Sequence, residues 1–408
     1  MQSALGWTVL SREALRRAES HLRDQDQQGV RDEIGFLSLH QAYADRFFPG
    51  TSVLQTRLRY VLFVPWMYQN IANQTQCPQI SRAIQEQELS LAKRLKSHHG
   101  LSAGVIGARS LPKQTSQPPT MVYWNALGTW GFLRPWADGS YPSRAVVHRT
   151  LSKKRSLSQL TDDDKSPLDE SVAFFVKVPK PPNEWHHSNN PLDFTIQPEE
   201  AAFIRQHLVS VQRPSMPGIP SLLAYLVDHN IDVGSLDFPW AKPILDRVDQ
   251  DERAALLRAQ QAASLAAIGR AIYAALVERV CAEEDKRTMP NLHRANLEGV
   301  IDDYRDQALR LEIEEVALDA PYPLPRGILK ILSETQNWLR TSQDIVALRP
   351  LYEQAEISRK GRRARLVRNL AGQDRRHEWA SEEYPEARPL HYRWSNVQRL
   401  LNDLRNHG

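Results

Sequence analysis

Eight cationic side chains fall within residues 359–376: Arg359, Lys360, Arg362, Arg363, Arg365, Arg368, Arg375 and Arg376, against the single acid Asp374. The formal net charge over 408 residues is only +4, so the basic character of the chain sits in this window. All but one of the cations are arginine, whose planar fork binds phosphate oxygens bidentately. A group of phosphate contacts also gains affinity by releasing counterions from the nucleic acid. His377, Trp379, Tyr384, Tyr392 and Trp394 follow the window, and rings beside cations can stack on unpaired bases. Three uses fit such a run: a nucleic-acid surface, a protein or subunit interface, or a solvated face whose counterpart is the acidic stretch 246–319.

A second constellation lies near the N-terminus, where Gln55, Arg57 and Arg59 follow the turn residues Gly50, Thr51 and Ser52. If Ser52 caps a helix, the free N–H groups of its first turn can receive an anion. The competing reading is a structural ion pair between Arg57 and Asp32 or Glu33, because a buried arginine needs a partner. Structural use is the expected one.

Catalytic signatures are missing. The chain has no GxxxxGK[ST] and no strand-linked GxGxxG, and it lacks GxSxG, HExxH, paired CxxC and HxKxxxxD. The doublets His98-His99 and His186-His187 cannot share one helical or strand face and read as surface residues. Asp302, Asp303, Glu312, Glu314, Glu315 and the loop acids Asp162, Asp163 and Asp164 read as solvated carboxylates. A metal nuclease with a strand-borne Glu/Asp-x-Lys would need more than Lys177, and Glu170 does not stand at that spacing. Trp124, Trp130 and Trp136 recur every six residues and are expected in an aromatic core. No metal and no cofactor is expected.

Composition narrows the class. Forty-one per cent apolar residues supports real cores. Cys77 and Cys281 stand far apart without metal-ligand spacing, which fits a reducing cytoplasm. Met1 opens a polar stretch without an apolar h-region, so no secretory signal is expected. The longest apolar run, residues 60–67, is short and interrupted by Pro65, so no membrane span is expected.

Several segments have a wording of their own: Arg31-Asp32-Glu33, Phe48-Pro49-Gly50-Thr51-Ser52, Gln55-Thr56-Arg57, and Arg59-Tyr60 through Pro65-Trp66. Tyr123-Trp124-Asn125 and Gly128-Thr129-Trp130-Gly131 belong with them. On these residues the chain resembles an uncharacterised bacterial family of about this length whose members often lie among anti-phage defence genes. The resemblance implies a defence context and defence-protein partners; it implies no mechanism.

The elements that must position these residues are mainly helices. Helical periodicity predicts them over 11–23, 34–48 (ending at Pro49-Gly50), 79–98, 198–208, 249–285, 292–316, 324–341, 345–355 and 395–404. Another, capped by Ser52, is expected to carry Leu54, Leu58, Val61 and Leu62 and to kink or end at Pro65. Residues 122–136 read as a short helix or buried segment, and 172–178 as the best strand. The expected architecture is mainly α, multi-helix and two-part, with little sheet. Its divisions are an N-terminal helical domain (1–151), an exposed linker (152–171), a central helical domain with a short strand (172–355) and a basic, aromatic C-terminal region (356–408). The expected function is a non-catalytic, cytoplasmic, DNA-engaging accessory subunit of a multi-gene defence system. A protein scaffold without nucleic-acid contact, and a nuclease-like enzyme whose site forms only in three dimensions, are the alternatives.

Overall fold

The computed structural model describes residues 32–72, 79–101, 104–157, 174–187, 190–214, 216–341, 344–384 and 386–406, without the side chains of 153–157. The helix expected over 11–23, Arg31, Cys77, the acids Asp162, Asp163, Asp164 and Glu170, most of the 152–171 linker and the start of the 172–178 strand lie outside them. Helices dominate the described residues, and the one sheet among them has two antiparallel strands, Gln212–Arg213 and Met216–Pro220. The fold is therefore mainly α. None of these helices is long and apolar enough to cross a membrane.

The chain forms two compact units, each discontinuous in sequence, whereas the expected divisions were sequential. One comprises the described residues of Phe48–Ser235 with 395–406. Its centre is the helix Tyr60–Ala72, buried on every side, with Val61, Leu62, Phe63, Val64, Trp66 and Met67 all fully inaccessible. A helix apolar all round belongs inside a core. It runs through Pro65 to Ala72, so of the kink or end expected at the proline, the end does not occur. Phe63 and Trp66 pack on Trp185, and Tyr60 packs on Tyr123 and Phe194. Gly50, at φ +81°, makes the turn before this helix; a Cβ there would stand 2.5 Å from the Trp130 indole nitrogen. That nitrogen donates to the Pro49 carbonyl at 2.8 Å. The helix Pro198–Val209 starts with proline in its first turn, and Glu200 reaches back to accept from the Gln197 N–H at 3.0 Å.

The strand expected over 172–178 is reduced, in its described part, to one bridge between Leu133 and Phe175. It is flanked by Arg134 N–H to Phe174 O and Val176 N–H to Phe132 O, both 2.9 Å. Residues 152–157, expected in the linker, finish the helix Arg144–Leu157.

The second unit comprises the described residues of 32–47 with Leu236–Trp394. It is built on the 34-residue helix Gln250–Glu283. Asp249 caps this helix, accepting from the Glu252 N–H at 2.7 Å. Leu256, Leu265, Ile268, Ile272, Leu276 and Val280 are buried as their spacing predicts, and Leu257 is half-buried. Small residues let neighbours approach closely: a Cβ on Gly269 would stand 2.5 Å from the Phe36 ring. The stretch 292–316, expected as one helix, is two, Leu292–Leu309 and Ile313–Asp319. The stretch 345–355 begins as a 3-10 turn, Ile345–Leu348, and continues as the helix Arg349–Lys360.

Candidate nucleic-acid interface

The basic run lies in the second unit and is built as a clamped loop. The helix Arg349–Lys360 stops at Gly361, at φ +52°, and the turn Gly361–Arg363 follows. Glu356, fully buried, then accepts from the backbone N–H groups of Arg365 and Leu366 at 2.9 Å each, and from the Tyr273 hydroxyl. Burial pushes the Glu356 carboxyl above its ordinary range, and these hydrogen bonds pull against it.

Arg376 closes the loop from the other side. Its guanidinium grips Asp285 through two bonds of 2.6 and 2.8 Å and donates to the carbonyls of Arg365 and Val367. It is 2% exposed. The hydrogen bond from Arg376 holds the Asp285 carboxyl below the usual carboxylate range, with burial opposing.

Four of the eight cations are thus committed to acids of the same unit, Arg359 while itself exposed. Arg376 holds Asp285, Arg359 pairs with Asp32, and Lys360 and Arg365 pair with Glu33. Asp32 also accepts from the N–H groups of Gly35 and Leu37 at 2.8 and 3.2 Å, opening the helix Phe36–Phe47. The Asp32-Glu33 pair of the N-terminal segment is therefore the counterpart of the basic run, not of Arg57. Glu284 and Asp285 come from the acidic stretch 246–319.

The other four face outward. Arg362 and Arg363 are exposed and make no ion pair or hydrogen bond among the described residues. The Arg368 side chain is 69% exposed while touching Glu284 at 2.9 Å, and Arg375 touches Glu378 at 2.7 Å on the surface. The aromatic residues after the run do not join them. Trp379, Tyr384, Tyr392 and Trp394 are all buried, so they are core and offer no stacking face; His377 alone is exposed.

In the first unit, Ser52 caps no helix. Its hydroxyl accepts from the Leu54 N–H at 3.2 Å in a local turn, and helix begins only at Tyr60. Residues 51–59 are instead held by remote side chains. The Tyr123 hydroxyl accepts from the N–H groups of Thr56 and Arg57 at 3.0 and 3.1 Å, and Asp403 accepts from the Leu58 N–H at 2.8 Å. Arg57 pairs with Asp403 at 2.9 Å. Arg59, 2% exposed, pairs with Glu200 at 2.8 Å and Asp193 at 2.9 Å. Both arginines thus form ion pairs, and the partner of Arg57 is Asp403 rather than Asp32 or Glu33.

The second unit also contains a cavity of about 390 Å³ lined by Arg270, His293, Asp303, Tyr304, Tyr384 and Arg388 among others. Its size suits a small molecule, but charges of both signs line it, and His293 is turned to the Ser381 carbonyl at 3.0 Å. No group of histidines, cysteines or carboxylates that could hold a metal occurs among the described residues. Asp302, Asp303, Glu312 and Glu314 are exposed and Glu315 is half-buried; His98, His186 and His187 are surface residues.

One buried acid that organises this unit escaped sequence reasoning. Glu278 is fully buried within the long helix and accepts from the N–H groups of Leu292 and Arg294 at 2.9 Å and from the Ser381 hydroxyl at 2.8 Å. The available signal was a glutamate inside an apolar helical run. The exposed arginines were visible, but which of them were free was not.

No curated protein and no solved structure matches the chain. A family model, Family of unknown function (DUF6361), matches residues 2–408, and the chain belongs to that family.

Proposed function

We propose that this protein is a non-catalytic, DNA-engaging accessory subunit of a multi-gene anti-phage defence system. The observation that carries the reading is the two-sided basic loop. Arg359, Lys360, Arg365 and Arg376 fix it from within, and Arg362, Arg363 and Arg368 stand outward on the fixed frame. A loop held this way presents cations without having to order itself on binding, which lowers the entropy lost on association. Four contacts to phosphate, including Arg375, give affinity without reading sequence. The resemblance of the N-terminal segment to a family lying among defence genes supports the context. On this reading catalysis falls to a partner.

The test is fluorescence anisotropy on a labelled duplex across a salt series, using the triple variant R362A/R363A/R368A. Binding weakens at every duplex sequence, and the slope of log K against log salt falls by about 2–3, since each lost phosphate contact removes about 0.9. The melting temperature holds because these side chains are exposed. Unchanged affinity and slope overturn the reading and favour the scaffold.

A further inference from the structure

The first unit carries a separate combination of features that the basic run lacks: exposed rings beside cations without acidic partners. Trp136 and Tyr141 are 41% and 44% exposed, although six-residue spacing had placed Trp136 in the core. They stand on one tight loop, closed by Trp136 N–H to Ser140 O at 2.7 Å. The loop is anchored by the Trp124 indole N–H on the Pro142 carbonyl at 2.9 Å. Trp136 meets Phe174 at right angles, and Tyr141 packs over Gly128, which holds both rings while they remain substantially exposed.

Cations surround this loop in the chain. Arg134 precedes it, and Lys177 lies on the segment bridged to residues 132–134. The helix Arg144–Leu157 follows directly and reads RAVVHRTLSKKRSL, without one acid. The side chains of Arg134, Arg149 and Lys177 are exposed and make no ion pair or hydrogen bond among the described residues. The one acid on the loop, Asp138, is occupied by the Ser140 hydroxyl at 2.6 Å and the Ser140 N–H at 2.9 Å. Scattered apolar residues are ordinary on a surface. Two fixed rings on one loop, opening into an acid-free basic helix, are not scattered.

We infer that residues 134–149, with Lys177 beside them, form a binding surface for single-stranded nucleic acid, with Trp136 and Tyr141 stacking on bases and Arg134, Arg149 and Lys177 tracking the phosphates. A duplex hides its base faces and cannot use the rings; a single strand uses both rings and cations. The inference is independent of the loop at residues 361–369, so either surface can fail alone.

The experiment uses the full chain and a fluorescein-labelled oligothymidine, with a duplex of equal length in parallel. The variant W136A/Y141A loses about 10-fold or more in single-strand affinity, in keeping with about 1–3 kcal/mol for each stacked base. Its duplex affinity and melting temperature hold. W136F retains most of the single-strand affinity because a ring remains, and R134A/R149A lowers the salt slope for the single strand. Single-strand affinity unchanged in W136A/Y141A overturns the proposal. Equal losses on single strand and duplex overturn it too, since they leave no role for stacking. Loss of a protein partner with oligothymidine binding intact assigns the surface to protein instead and also overturns it.

Discussion

At the scale of single residues, the same side-chain type has opposite uses within one short window. Arg362 and Arg376 are both arginines of the basic run, yet one is exposed without an acidic partner and the other is saturated by Asp285 and two carbonyls. Arg376→Ala leaves Asp285 buried and unpaired, and is expected to cost about 3–5 kcal/mol in urea denaturation. The pair also sets a pH dependence. Because Arg376 depresses the Asp285 carboxyl in the folded state, the carboxylate contributes stability above the unfolded pKa of about 3.9 and loses it as pH falls toward the lower folded value. Asp285→Asn should therefore flatten the acid limb of stability against pH below about pH 4, measured as urea midpoints from pH 2 to 6. Charge density is visible in a sequence; the partner of each charge is not, because Asp32 and Glu33 reach the run from more than three hundred residues away.

At the scale of elements, what was legible depended on the length of the pattern and on who satisfied the backbone. The long helix was legible because its apolar spacing repeats over many turns and Asp249 marks its start. The stretch after Ser52 reads as helix because Leu54 and Leu58 also fall at helical spacing, while the N–H groups of Thr56, Arg57 and Leu58 are satisfied by Tyr123 and Asp403 rather than by carbonyls four residues back. Long-range hydrogen bonding of that kind leaves no local trace. The small sheet was missed because Pro217, Gly218 and Pro220 argue against a strand, and Met216–Pro220 is exposed along its length. Gly269 shows an element tuned to its neighbour. In an open helix, glycine to alanine gains about 1 kcal/mol. Here Gly269→Ala drives a methyl into the Phe36 ring and should instead cost about 1–3 kcal/mol. Phe36→Leu in the same chain should restore part of that loss, giving a coupling energy of opposite sign in a double-mutant cycle of urea midpoints.

At the scale of the whole molecule, the helical class followed from the sequence because it is a sum over many segments, in which one misplaced helix changes little. The two discontinuous units did not follow, because segments far apart in sequence complete one another. Residues 395–406 belong with 48–235: Asp403 holds Arg57 and the Leu58 N–H, and the Asn396 amide donates to the carbonyls of Val53 and Gln55 at 3.2 and 3.0 Å. Asp403→Ala should cost about 1.5–3 kcal/mol, the range for a hydrogen bond to a charged group, read as a shifted urea midpoint. The same arrangement bears on biosynthesis. Domains ordinarily fold in the order they leave the ribosome, but Leu58 waits for a carboxylate 345 residues downstream. Until that carboxylate emerges, the wholly apolar segment around Trp66 belongs to an unfinished unit, and a nascent chain stalled before residue 395 is a natural client for chaperones and an open target for proteases.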